Sequence, residues 1–492
     1  MDWPGTNGVS APKTPTIVRY KKLESAFEWG AVAERAEDAI IGIKLLLDPS
    51  QKRPEYLSVY SSQKIRSSLP KPAVNIASDL IGKFYERAIS EISKTVPQDY
   101  FDLCSKEYVL TVPAVWSDAA KHATMTAAKL AGIYPVTLIK EPEAAALYAA
   151  RSIGFALKAN DAFVVCDAGG GTVDLISYEI ESTVPTLRVK ELVPGTGGMS
   201  GSIGLNARFA AEVQEIVGEE QWRALQETRG WTRALKQFDE EIKRAFNGDE
   251  NQSFWLDFPM AHLQDNETRR LRNDAWEMTG RDLTRIFEPL IKDIINLIQE
   301  QVEQSRNKRH GKDVDGILLV GGFGSSQYLR QMVRKHFPSI EAIQPNDAWA
   351  AVVKGAVVSK IPQQAIVASI SAPRHYGVEA WCKYDHEIDM GRPSNEDRSG
   401  RVEVQRMTWY IKKGDTLRRD QKIKFPFYRQ VDRNFDSSEL HFDSELYQCD
   451  DLTAPDHRAK STKVKLNCTV TCDLSRVAKC HFRKRRDLHD QL

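Results

Sequence analysis

Cysteine is scarce in this chain, with seven in 492 residues, an odd number scattered along the length. That excludes the disulfide framework of a small secreted domain and points to a reducing compartment. Cys468 and Cys472 form one Cys-x₃-Cys pair, with no second pair and no well-spaced histidine. They read as strand cysteines rather than zinc ligands. An excess of charge is also lacking. Sixty-eight Lys and Arg face sixty-seven Asp and Glu, a net charge of +1, so no global field favours nucleic acid or a membrane surface. No run of 18 apolar residues suggests a membrane span. The opening Met1-Asp-Trp-Pro-Gly-Thr-Asn-Gly8 has neither the basic stretch nor the apolar core of a secretory signal. The expected location is the cytosol, with the nucleus as the alternative. Walker-type phosphate binding is excluded as well. Gly82-Lys83 is followed by Phe84 and Gly311-Lys312 by Asp313, where a Ser or Thr is required.

What the chain does have is length enough for about three domains and one unusual hairpin. Phe163 to Cys166 is an apolar run that delivers Asp167. Gly169, Gly170 and Gly171 then turn the backbone, and Thr172-Val-Asp174-Leu-Ile176 leaves as a second strand. Glycine adds no side chain and tolerates positive φ, so backbone N–H groups can crowd around an anion. A carboxylate on each side of such a turn can hold a hydrated Mg²⁺. The bland alternative is a tight hairpin with two solvated aspartates.

Periodicity organises the rest. Residues 73–96 carry apolar positions at helical spacing: Ile76, Leu80, Ile81, Phe84, Ala88 and Ile92. Tyr108 to Pro113 reads as a buried strand. Ser117 is a candidate N-cap for a helix through Ala131, stopped at Gly132. Val136–Ile139 is a short strand leading into Lys140-Glu-Pro-Glu, with the proline in a first helical turn. Three β segments follow, over 162–167, 172–180 and 186–193. Residues 205–246 and 280–305 read as helical, Asp315–Val320 as a strand, and 326–336 as an amphipathic helix. Another helix follows Asp347. From about 371 alternating segments appear, such as Lys422–Phe425 and Lys463–Leu466, with loops over 385–400. Lys479–Arg486 is a basic tail, read as a solvated terminus rather than a nuclear-import patch.

The motifs together carry more than any one. Asp167-Ala-Gly-Gly-Gly-Thr-Val-Asp174, Leu110-Thr-Val-Pro-Ala-Val-Trp116, Lys140-Glu-Pro-Glu-Ala-Ala-Ala146 and Leu319-Val-Gly-Gly-Phe-Gly-Ser-Ser326 occur as family-like motifs, with Pro194-Gly-Thr-Gly-Gly198. In this combination the chain resembles the sugar-kinase, actin and heat-shock chaperone ATPase superfamily. Within it, the chain is similar to the seventy-kilodalton heat-shock chaperones, in the divergent subgroup of the member-twelve and fungal type.

The resemblance implies an α/β, two-lobed actin-like (ribonuclease H-like) ATPase fold with its first lobe incomplete, followed by a small β-rich region. The expected divisions are 1–160, 161–370, 371–476 and a tail 477–492. It implies adenine nucleotide (ATP or ADP) and Mg²⁺ as cofactors, and client polypeptides and co-chaperones as partners. Gly169, Gly170, Gly171 and Thr172 would hold the phosphates, and Asp167 and Asp174 would act through Mg²⁺-bound water. Glu141 would help place the attacking water; its ordinary role would be a helix N-terminal acid. Gly197 and Gly198 would bound the phosphate side. Gly321, Gly322, Gly324 and Ser325 would let adenosine lie against backbone. Glu240, Lys243 and Arg244, at i, i+3, i+4, would face adenine and ribose, or else form a solvated charged face. Asp347 would take a ribose-side position or serve as an N-cap.

Two departures matter. The Asp-x-Gly-Thr-Thr hairpin that normally opens the family's first lobe is absent, and the chain reads as beginning inside that lobe. The family's catalytic lysine has only one nearby candidate, Lys44, whose context favours an ordinary surface lysine. Hydrolysis is therefore expected to be weak or lost. The alternatives are a nucleotide-sensing interaction protein without turnover or, less favoured, a sugar kinase or an actin-like filament former.

Overall fold

The computed structural model describes residues 3–6, 13–21, 27–33, 36, 38–48, 69–152, 158–361, 365–396, 400–418, 421–425, 436 and 440–477. The chain forms two compact units that divide at Val367/Ala368. The predicted basic tail lies outside the described residues.

The first unit is built on five neighbouring sheet strands in the order Glu341–Ile343, Gly316–Val320, Ala162–Ala168, Val173–Ser182, Leu187–Gly198. The first three are parallel, and the last three form an antiparallel meander. The central strands are buried on both faces, which is why Ala162–Ala168 and Gly316–Val320 are almost wholly apolar. The 29-residue helix Gly280–Lys308 lies in the same core. Leu283, Ile286, Phe287, Leu290, Ile291, Ile294 and Ile298 form its buried stripe at three- and four-residue spacing. Each such side chain contributes roughly 1.5–3 kcal/mol when fully buried. The helix starts with a reciprocal cap: Asp282 N–H donates to Thr279 Oγ1, and Thr279 N–H donates to Asp282 Oδ2 at 2.8 Å.

The N-terminal part of this unit has smaller sheets. Ile17–Tyr20 pairs antiparallel with Phe27–Trp29 and Ile40–Ile41, and Tyr108–Val112 runs parallel to Val136–Lys140. Helix Ala73–Ile92 buries Ile76, Ala77 and Leu80 against helix Asp118–Leu130, with Ala120 and Ala127 in the same core. Ile92, predicted on the apolar face, is exposed at the helix end. Ser117 does cap its helix, its side chain accepting from Ala120 N–H at 3.1 Å, and Gly132 ends it at φ +80.

The 205–246 stretch is not one helix. Gly218, at φ +79, ends Ile203–Val217, and Thr228 caps a new start at Arg229. A π-turn over Phe238–Ile242 then interrupts the ladder.

The second unit has a five-stranded antiparallel sheet in the order Ser394–Glu396, Val402–Ile411, His375–Lys383, His441–Cys449, Lys465–Asp473. Its small core gathers Met407, Tyr447, Cys449 and Val464, with Trp409 against them. Lys422–Phe425 alternates but forms no strand. Phe425 stacks on Tyr410 instead, with ring centroids 4.5 Å apart. The predicted 385–400 loop holds a short helix, His386–Asp389, and the edge strand Ser394–Glu396. Cys468 and Cys472 sit exposed on the last strand.

Candidate functional site

The Gly-rich turn joins the two central antiparallel strands, with Asp167 directly across from Asp174. Gly169 N–H donates to Thr172 carbonyl at 2.9 Å and closes the turn. Carbonyls of Gly169 and Gly170 accept from Ser202 and Ile203 N–H, at 3.1 and 2.8 Å. The turn is thus tied to the start of helix Ile203–Val217. Gly170 and Gly322 each face open space, with nothing within 4 Å of where a Cβ would lie. Gly171 packs on the Leu45 side chain, and Gly197 leaves no room for a Cβ beside the Val173 carbonyl. Gly198 lies next along the same strand, opposite Val173.

The strand Gly316–Val320 runs parallel to Ala162–Ala168, with Val320 beside Asp167. Both the hairpin and the Gly321 turn therefore lie at the C-terminal ends of parallel strands, where open α/β sheets form their crevices. Gly321 has φ +87, and a Cβ there would sit 2.4 Å from Asp167 Oδ1. Ser325 Oγ donates to the Gly321 carbonyl at 3.0 Å, and Gln344 Nε2 donates to the Gly324 carbonyl at 2.6 Å.

Glu141 begins helix Glu141–Ser152 and is buried. Its carboxylate accepts from Lys44 Nζ, the lysine of the short helix Ile43–Leu46. Burial opposes the Lys44 charge most strongly, but Glu141, Asp174 and Asp167 together outweigh it, and the ammonium titrates above its ordinary range. Lys44 is therefore not an ordinary surface lysine, as its sequence context suggested. It is a cation of a three-carboxylate cluster.

Asp167 and Asp174 are both buried. Asp174 Oδ1 accepts from Ala114 N–H at 2.7 Å, while its Oδ2 is buried without a hydrogen bond. Burial first, then the Glu141 charge and Asp174, push Asp167 up to about 8. Burial and Glu141 push Asp174 up to about 7, against the pull of Lys44, the Thr172 hydroxyl and the Val115 amide. The two carboxyls titrate as a linked system. Burial holds protons on this pair, and a cation that displaced them would meet Asp174 Oδ2, which has no other partner. Among the described residues no group of three His, Cys, Asp or Glu could hold a metal directly.

Sequence reasoning missed two members. Lys13 carries a charge that Asp167 and Glu141 stabilise, although burial pulls its pKa down. Its Pro-rich segment gave no periodic signal. The Ala114 amide was also missed, since a backbone donor has no sequence signature.

The remaining candidates are spread around this centre. Lys243 Nζ donates to Asn206 Oδ1 at 2.9 Å and Ser202 carbonyl at 3.4 Å, and pairs with Asp239. Glu240 and Arg244 are exposed, and Glu240 lies 3.9 Å from Lys236. Asp347 precedes a short 3₁₀ turn but does not cap it with its side chain. Its carboxylate pairs with Lys354 and accepts from Tyr148 Oη at 3.1 Å.

No described helix is long and apolar enough to cross a membrane. Comparison with known proteins matches residues 70–379 to the family described as Hsp70 protein. The chain is 26% identical over 469 residues to mouse heat shock 70 kDa protein 12A, covering 77% of this chain and 68% of that protein. It is 25% identical to human heat shock 70 kDa proteins 12A and 12B. Those alignments cover 63% and 62% of this chain, but only 56% and 55% of those relatives. With the family model spanning well over half its length, the chain belongs to the Hsp70 family, in the actin-like ATPase superfamily.

Proposed function

We propose that this chain is an ATP-binding, chaperone-like member of its family that binds adenine nucleotide with Mg²⁺ and hydrolyses it weakly. The observation that carries the reading is the convergence of Asp167, Asp174, Glu141 and Lys44 on the glycine turn, with Asp174 Oδ2 orphaned. A hydrated Mg²⁺ fits that need, because it would supply the missing positive charge and hold phosphate oxygens. Gly170, Gly171 and Thr172 would present backbone N–H groups to the phosphates, while Gly169 N–H closes the turn, and Gly170 has the open approach this requires. Lys44 would meet phosphate charge from the other side, with Glu141 fixing its position. Gly321, Gly322, Gly324 and Ser325 would receive the nucleoside. Glu240, Lys243, Arg244 and Asp347 would line its outer side.

Binding without turnover is the second reading. It is favoured by Asp167 and Asp174 titrating well above the ordinary carboxylate range, since phosphoryl transfer depends on charge stabilisation from every side. Client polypeptides, co-chaperones and a cytosolic location belong to the same proposal.

Calorimetric titration with Mg²⁺·ATP tests it. Wild type should release saturable heat, and Gly170→Asp should not. Equal silence from both at millimolar nucleotide would sink the binding claim. Steady-state phosphate release then separates the two readings. Brisk wild-type turnover that Asp174→Asn abolishes would show that hydrolysis is not weak.

A further inference from the structure

The second unit contains an open cavity of about 620 Å³, within the size range of small-molecule sites. We propose that it is a binding site for a small molecule carrying one carboxylate beside a flat apolar body. Trp381 and Glu379 share one face of strand His375–Lys383, and Trp381 leaves half its surface exposed there. Val404 and Val464 are buried in the wall, beside Arg392 and Arg458.

The guanidinium of Arg458 is held in place. It lies 4.8 Å from the Tyr447 ring centroid, and its Nη1 donates to Tyr447 Oη at 2.9 Å. The backbone beneath it is anchored through His457, which is buried. His457 Nδ1 lies 3.1 Å from the Gln405 carbonyl, and its Nε2 lies 2.9 Å from Asp389 Oδ1. Asp389 is in turn fixed by Arg406 and by the Asp385 N–H at 2.7 Å. Neither Arg458 nor Arg392 pairs with a carboxylate among the described residues.

Two guanidiniums that make no ion pair among the described residues select a carboxylate, which a guanidinium can grip through paired N–H donors. An exposed indole selects a flat apolar partner and stacks with little loss of side-chain freedom. Glu379 in the same wall disfavours a dianion, so a carboxylate fits better than a phosphate. This site owes nothing to the nucleotide cleft and stands or falls separately.

The test uses the full chain and ligand-observed saturation-transfer NMR with indole-3-acetate, its methyl ester and inorganic phosphate. Indole-3-acetate should bind saturably and the ester at least tenfold more weakly. Arg458→Gln and Arg392→Gln should each weaken the acid at least tenfold, while Gly170→Asp leaves it unchanged. Trp381→Ala should weaken acid and ester alike. Arg392 pairs with no carboxylate among the described residues, so its variant should keep the wild-type urea midpoint, which separates lost binding from lost folding. Equal affinity for acid and ester, wild-type binding by both arginine variants, absence of saturable binding, or phosphate binding as tight as that of indole-3-acetate would each overturn the assignment.

Discussion

The Lys44 ammonium rests on the Glu141 carboxylate, although 97 residues separate them in the chain. The pair joins a one-turn helix to the start of a long one, beside the glycine hairpin. Lys44 keeps 40% of its side-chain surface exposed while Glu141 keeps 11%, so the carboxylate has more to lose. Lys44→Met should destabilise the fold by about 1–3 kcal/mol, because Glu141 is left buried without its partner. Adding Glu141→Gln should recover much of that loss. A double-mutant cycle by urea unfolding measures the coupling, and additive single effects would show that the pair does not hold the two helices together. Lys44→Met should also weaken Mg²⁺·ATP by about tenfold, roughly one lost charge-assisted contact.

Asp167 and Asp174 make the nucleotide-free protein sensitive to pH. Both titrate above the ordinary carboxylate range, at about 8 and about 7. The folded state therefore holds protons that the unfolded chain has released. The stability they confer is complete below about pH 4 and is lost as pH rises through 7 and 8. The slope is about 1.4 kcal/mol per pH unit for each extra proton bound. Wild type should lose urea stability between pH 5.5 and 8.5 more steeply than the Asp167→Asn, Asp174→Asn double variant. Parallel curves would show that the pair is ionised alike in both states.

The same protons should leave when Mg²⁺·nucleotide arrives, since added positive charge favours the carboxylates. At pH 7 the binding heat should change with the ionisation enthalpy of the buffer, with a slope that reports proton release. Asp174→Asn should reduce that slope. A wild-type slope of zero would place the cation away from these two aspartates.

How legible this site was depended on where its parts lie in the chain. The hairpin was plain because Asp167, three glycines, Thr172 and Asp174 are consecutive, and an apolar strand precedes them. The Gly321 turn was legible for the same reason, as a buried strand running into glycines. Lys44 was not. It belongs to a helix of four residues inside an apolar run, and its role comes from Glu141, which only folding brings near. The 205–246 stretch kept helical composition throughout, so periodicity could not reveal the π-turn at Phe238–Ile242. That turn breaks the simple i, i+3, i+4 spacing that had grouped Glu240 with Lys243 and Arg244. Lys422–Phe425 failed for a different reason, because alternation marks a strand only where a neighbouring strand is free to pair.

The glycines of the site should differ sharply in what they tolerate. Gly322→Ala meets no atom and no positive φ, so the fold should stay within about 0.5 kcal/mol of wild type. Gly321→Ala combines a left-handed backbone with a Cβ 2.4 Å from Asp167 Oδ1, and should cost about 2–4 kcal/mol. Urea midpoints would rank the two. If both proved silent, the Gly321 turn would not be pressed against Asp167.

Gly355 is where helix Ala351–Val358 presses on the helix that begins at Glu141. A Cβ at Gly355 would lie 1.6 Å from the Ala144 carbonyl, so helix Ala351–Val358 can approach helix Glu141–Ser152 this closely only with glycine there. Ala144 is one turn beyond Glu141 on the same helix, so a forced separation should move the carboxylate as well as loosen the packing. Gly355→Ala should therefore lose about 3 kcal/mol in urea and weaken Mg²⁺·ATP binding, although it touches no nucleotide group. Gly132→Ala is the matching control. It has φ +80 but nothing within 4 Å, so it should lose about 1–2 kcal/mol from backbone strain alone and leave nucleotide binding unchanged. A Gly355→Ala protein that is destabilised yet binds nucleotide as wild type does would show that Glu141 is held by Lys44 rather than by the helix pair.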